Sequence, residues 1–225
     1  MEKDYKKLNL KDVPELFKNK EYKTLLKGLW YFIWDSNSIW SWMINIILAF
    51  ILIKFVVYPL LGLVLATNYP IVAVVSGSME HEGSFDDWWS SQATCSIDDC
   101  TQSIYYNNFN ISKEEFRNFR FKNGFNMGDI MVLRGSSPEN IKVGDVLVFK
   151  AGRPDPIIHR VIKVWEKDGT YYYQTKGDHN TDSFSSLDED EIHEDRVVGK
   201  AVARIPLLGW IKIAAVKLWL ILIPR

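Results

Sequence analysis

Few residues in this chain combine reactive chemistry with suggestive placement. Ser76-Gly77-Ser78-Met79 closes an apolar, β-branched run. A serine held at a strand end beside a glycine is exposed and conformationally tight, which suits a nucleophile. Its hydroxyl needs a base, and imidazole is the usual one. The histidines are His81, His159, His179 and His193. His159 lies within Ile157-Ile158-His159-Arg160-Val161, a strand pattern in which a buried ring requires a hydrogen-bond partner. His179 lies in the polar turn Lys176-Gly177-Asp178-His179-Asn180-Thr181-Asp182, where Asp178 or Asp182 could orient an imidazole. His81 and His193 read as surface residues. Two cysteines without grouped histidines make a poor zinc site, and no metal or organic cofactor is implied.

The elements that carry these residues follow from composition and its distribution. The chain has 225 residues, 47% hydrophobic and 24% charged, with a formal net charge of −1. That content excludes a disordered chain, and the charge argues against nucleic acid, which needs a basic face. The apolar residues crowd into 39–75 and 205–223, which excludes a single soluble globule. From Ile39 to Val75 the only charged residue is Lys54. A bilayer core needs about 20 apolar helical residues, and Trp40–Leu63 supplies them. Asp35, Ser36 and Ser38 suit an N-cap, whereas Pro59 and Gly62 should kink or end the helix. Lys54 is expected to snorkel along its stem. Lysines are frequent before residue 28, and after Lys54 no Lys or Arg occurs until Lys113. The positive-inside rule then makes residues 1–38 a cytoplasmic tail, 39–66 a signal anchor, and the remainder extracytoplasmic. Tyr22–Phe32 could form an amphipathic helix on the inner face. Residues 207–225 form an apolar helix that either spans the membrane or lies in its interface.

Between residues 67 and 206 the pattern is that of a mainly β domain. Ile71–Val75 reads as a strand. Gly128-Asp129 and Gly144-Asp145 are turns feeding short apolar strands, and Lys167-Asp168-Gly169 signals a hairpin between Ile157–Trp165 and Thr170–Thr175. Val197–Ile205 is the last strand. Residues 81–127 are an insertion rich in Ser, Asp, Asn and aromatics, with Ser112 opening a short helix. Its aromatic residues read as a satellite cluster packed on the domain. Cys95 and Cys100 are a disulfide candidate on the outer side. The acidic stretch Asp188–Asp195 reads as a solvated loop.

Together, "PIVAVVSGSME", "GDIMVL", "VGDVLVFK", "IIHRVIKV", "TKGDHNTD" and "RVVGKAVARIPLLGWI" occur in an order that resembles type I signal peptidases of the archaeal and endoplasmic-reticulum kind. The resemblance covers most of residues 55–212. It implies a signal-peptidase-like all-β catalytic domain on an N-terminal transmembrane anchor. It further implies an endopeptidase that cleaves signal peptides from secretory preproteins. Its setting would be the cell membrane or endoplasmic-reticulum membrane, with the bilayer and translocation machinery as partners. By the same resemblance Ser78 is the nucleophile, Ser76 an oxyanion donor and His159 the general base. Asp182 is the favoured orienting acid and Asp178 the other candidate, because the position six residues after Asp178 is Phe184 rather than an acid. Substrate would add as a strand along Ile71, Val72, Ala73, Val74 and Val75. The altered acid spacing and the long insertion favour a competing expectation, a catalytically inactive membrane-anchored β-domain that binds peptides or a partner subunit.

Overall fold

The computed structural model describes residues 13–218 except 97, 212, 215 and 217. The chain divides into two compact units, Met1–Leu60 and Leu61–Arg225.

In the first unit, α1 (Val13–Lys18) and α2 (Tyr22–Trp34) precede α3 (Ile39–Leu52). Ser38 is the N-cap of α3, its Oγ accepting from the Trp40 N–H at 3.3 Å. The polar side chains early in α3 satisfy carbonyls left open at the end of α2. Ser41 Oγ donates to Phe32 O at 2.5 Å and Asn45 Nδ2 to Ile33 O at 2.7 Å. A π-helical turn at Ile53–Val57 leads into α4 (Tyr58–Val64). The helix therefore runs through Pro59 rather than ending there. The Tyr58 N–H bonds to Ile53 O, five residues back, so the ladder changes register just before the proline. The continuous helix Ile39–Val64 has 26 residues, long and apolar enough to cross a membrane. Lys54 Nζ lies 5.9 Å from the Phe50 ring centroid and 5.4 Å from that of Phe55, within the range of cation–π contact. Residues 1–12 of the expected cytoplasmic tail lie outside the described residues.

The second unit begins at Leu61, within α4. Ala66 turns left-handed (φ 52°), and the Thr67 and Ala66 N–H groups bond back to Gly62 O and Leu63 O. The expected mainly β architecture follows. It is an antiparallel seven-stranded sheet in the order β1-β4-β9-β5-β6-β7-β8. The strands are β1 (Ile71–Ala73), β4 (Ile130–Arg134), β5 (Val146–Phe149), β6 (Ile157–Lys167), β7 (Thr170–Lys176), β8 (Ile192–His193) and β9 (Val197–Ile205). Both Gly-Asp turns precede strands as expected. Asp168 (φ 54°) and Gly169 (φ 78°) both adopt the left-handed conformation that a tight hairpin between β6 and β7 requires. One core cluster unites Val74, Met79, Phe125, Met131, Leu133, Val146, Val148 and Ala201. The helix after β9 starts at Trp210, anchored by Leu207 N–H to Asp129 Oδ1 and Gly209 N–H to Gly128 O. The end of the expected 207–225 helix lies outside the described residues.

The insertion folds as α5 (Phe85–Trp89), a hairpin of β2 (Gln92–Cys95) and β3 (Asp98–Thr101), α6 (Gln102–Asn108) and α7 (Lys113–Asn118). Cys95 and Cys100 are bridged across the hairpin. Trp88, Trp89, Tyr105, Tyr106, Ile111 and Phe116 bury one another and take Ile162 of β6 into their cluster, so the aromatics pack on the sheet. Ile162 is the bolt between sheet and insertion. Truncating it to Ala should cost about 2–5 kcal/mol, read as a lowered thermal unfolding midpoint of the whole β domain.

Candidate active site

Ser78 and His159 come from segments 81 residues apart, and the fold brings them into contact. β1 delivers Ser76-Gly77-Ser78 to the rim of the sheet. The Val74 N–H donates to Asp129 O, and Val74 O accepts from the Gly128 N–H, so the strand leaves the ladder there. The Gly77–Glu80 turn is closed by the Glu80 N–H on Gly77 O at 3.0 Å. Met79 is fully buried, and its carbonyl accepts from the Phe125 N–H. His159 sits on β6, paired with Leu147 of β5, with its side chain buried. Its Nε2 is 2.9 Å from Ser78 Oγ. Ser76 Oγ lies 3.3 Å from Ser78 Oγ.

The ring's other nitrogen meets a third acid. His159 Nδ1 hydrogen-bonds Glu189 Oε1, not Asp182 or Asp178. Glu189 is fully buried although its neighbours Asp188 and Asp190 are exposed. Asp188 adopts a left-handed turn (φ 52°) immediately before it. The backbone there is tied by Thr175 N–H to Glu189 O at 3.0 Å, and the carboxylate accepts from Thr175 Oγ1 at 3.1 Å and the Phe184 N–H at 3.0 Å. Nothing in residue type or motif spacing separated Glu189 from the acids around it. The Asp188–Asp195 stretch is thus not uniformly solvated.

Both aspartates are occupied elsewhere. Asp178 is fully buried and accepts from Arg160 Nε (2.9 Å) and Nη2 (2.6 Å), from Tyr106 OH (3.2 Å), and pairs with His81 Nε2 (3.0 Å). Burial opposes its ionisation, but the Arg160 guanidinium and His81 outweigh this and hold the carboxyl well below the usual range. The Tyr106 hydroxyl is pushed far up, by burial first and then by the Asp178 charge, so it remains a donor. Asp182 accepts from Tyr105 OH at 2.8 Å and from the Ser183 N–H at 2.7 Å. His81 is not a surface residue. Its side chain is 3% exposed and stacks on Trp88 at 3.7 Å. His193 is partly exposed and bonds Asp195, as its surface reading expects.

The loop after β7 also touches the serine directly. The His179 N–H donates to Ser78 O at 2.9 Å, while its side chain is exposed. A side chain at Gly177 would place its Cβ 2.7 Å from that same carbonyl. Lys176 is fully buried, donating to Gln102 Oε1 at 2.7 Å and Gly177 O at 3.1 Å, with its Nζ about 5 Å from the Tyr105 and Tyr106 rings. Burial pushes its pKa down to about 7, against the opposing pull of Asp178, Glu189 and Asp182.

Not all of the expected substrate strand is available. Val74 is 2% exposed and its backbone bonds are spent on the Gly128-Asp129 turn, and Val72 packs against the same core. Ile71, Ala73 and Val75 alternate to the other face, and Val75 is exposed. β1 is an edge strand, hydrogen-bonded to β4 on one side.

No family model matches the chain. Its relatives include the signal peptidase complex catalytic subunit SEC11C of Homo sapiens, 38% identical over 94 residues. That match covers 40% of this chain and 49% of the relative. The signal peptidase complex catalytic subunit sec11 of Dictyostelium discoideum is 33% identical over 94 residues, with 40% of this chain and 52% of the relative covered. The chain thus spans about half the length of the relatives it matches. These homologues bear out the resemblance carried by the ordered motifs. They are eukaryotic, so the archaeal side of the resemblance gains no support from them.

Two stability measurements test the buried charges. Asp178→Asn strands Arg160 and should cost about 3–5 kcal/mol at neutral pH. In the parent chain Asp178's contribution is complete above the unfolded aspartate value of about 4 and fades as the pH falls towards its lower folded value. Lys176 acts with the same sign in a higher window. Between about 7 and its ordinary 10.5 the unfolded chain holds more protons, so this group makes stability rise with pH across that window. Lys176→Met should flatten that rise in chemical denaturation measured from pH 7 to 10.

Proposed function

We propose that this chain, a relative of signal peptidase complex catalytic subunits, is a membrane-anchored serine endopeptidase that removes signal peptides from secretory preproteins. The observation that carries the reading is the contact of Ser78 Oγ with His159 Nε2 at 2.9 Å. His159 takes the Ser78 proton as the hydroxyl attacks the scissile carbonyl to give a tetrahedral intermediate. His159 then passes that proton to the leaving amine, the C–N bond breaks and an ester to Ser78 remains, and water, deprotonated by the same ring, hydrolyses the ester and releases the signal peptide. The developing oxyanion is held by the Ser78 backbone N–H and the Ser76 hydroxyl. A lost donor of this kind costs about 3–4 kcal/mol.

Substrate binds extended along the open side of β1, making main-chain bonds there, with Val75 leading its backbone towards Ser78. Small residues flank the cleaved bond, as signal-peptide cleavage sites require. The Ile39–Val64 helix is the anchor, with the lysine-rich tail cytoplasmic and the β domain outside. The Cys95–Cys100 bridge supports that orientation, because disulfides persist in oxidising compartments. Secretory preproteins, the bilayer and the translocation machinery are the partners, in the endoplasmic-reticulum or cell membrane.

The test is cleavage of a secretory preprotein by the full chain in membranes. Ser78→Ala should lower turnover by about 10⁴-fold or more with unchanged thermal unfolding, and His159→Ala should lower turnover by a similar factor. Undiminished cleavage by folded Ser78→Ala would remove the assignment. Ser76→Ala should lower kcat by about 10²–10³-fold.

A further inference from the structure

We infer that Glu189 is the positioning carboxylate for His159, and that the insertion has taken Asp178 and Asp182 out of that role. The inference rests on the peptidase reading for its catalytic consequence and on geometry for the assignment. Glu189 bonds Nδ1 while Nε2 faces Ser78, so one ring is bracketed by nucleophile and acid. Its carboxylate is itself aimed by the Thr175 hydroxyl and the Phe184 N–H. A carboxylate so held fixes the tautomer with the proton on Nδ1 and the lone pair towards the serine, and stabilises the imidazolium that forms in reaction.

The displaced aspartates have different duties. Three side chains converge on Asp178, and those of Tyr106 and His81 come from the insertion. Asp182 is held by Tyr105, also of the insertion. Both acids thus fasten the loop to the aromatic cluster, while the Trp88 indole N–H adds a bond to Asp178 O at 2.9 Å. An acid that must carry the insertion cannot also turn towards His159. Glu189, eleven residues beyond Asp178, is the carboxylate that meets His159 Nδ1.

The experiment uses the full chain in detergent micelles. Glu189→Gln should lower kcat by about 10⁴-fold with KM changed less than a few-fold, and Glu189→Asp should recover part of that loss. Asp182→Asn should stay within a few-fold of the parent. A low-field imidazole N–H resonance in the proton NMR spectrum should vanish in His159→Ala and Glu189→Gln and persist in Asp182→Asn. This second readout needs no turnover and reports the contact directly. A resonance that survives Glu189→Gln, or activity that falls with Asp182→Asn rather than Glu189→Gln, overturns the assignment while leaving the peptidase reading intact. Continued cleavage by Ser78→Ala would sink the peptidase reading and leave the resonance untouched.

Discussion

The second unit depends on one buried ion pair. Arg160 and Asp178 are both fully buried and meet through two hydrogen bonds. The guanidinium spends its remaining donors on the Arg120, Gly144 and Phe121 carbonyls and lies over the Phe116 ring at 4.7 Å. Such saturation is what makes a buried pair tolerable, since desolvation otherwise exceeds the Coulombic gain. The pair ties three parts of the chain into one unit: strand β6, the inserted helices and the loop after β7. Its placement follows from strand geometry. Successive residues of a strand face opposite sides, so His159 and Arg160 point apart, one to the reactive rim and one into the insertion's cluster.

That arrangement makes the insertion part of the site's scaffold. The loop residues 176–182 are gripped by Gln102, Tyr105, Tyr106, His81 and Trp88, and the Thr94 N–H reaches Thr181 O. The same loop returns a backbone bond to Ser78. Rigidity in the aromatic cluster is thereby passed to the serine through contacts of ordinary length. The cost is a buried lysine beside two tyrosine rings, with its ammonium destabilised by desolvation.

The strands, the membrane-length helix and the serine with its imidazole were legible because each leaves a local mark. The Gly-Asp turns announce β4 and β5, Asp168-Gly169 announces the β6–β7 turn, and the ordered motifs identify Ser78 and His159. The carboxylate that meets the His159 ring was not legible. Glu189 stands in an acidic run whose composition describes a solvated loop, and only the turn at Asp188 and the pairing with Thr175 drive it inward. His81 escapes a reading of the sequence for a related reason: its buried partner Asp178 lies 97 residues away, and the Trp88 ring stacks over it. Pro59 does not end the helix, because the helix shifts its hydrogen-bond register ahead of the missing donor.

The seven-stranded sheet has two open margins, and both are brief: β1 spans three residues and β8 two. Unpaired strand margins template fibril growth when they are long and flat, and brevity is one of the protections natural sheets use. At the β1 margin this protection coexists with an invitation. On the proposed reading an incoming polypeptide held also by its flanking side chains lodges there, whereas a neighbouring copy would gain too few backbone bonds to propagate an aggregate.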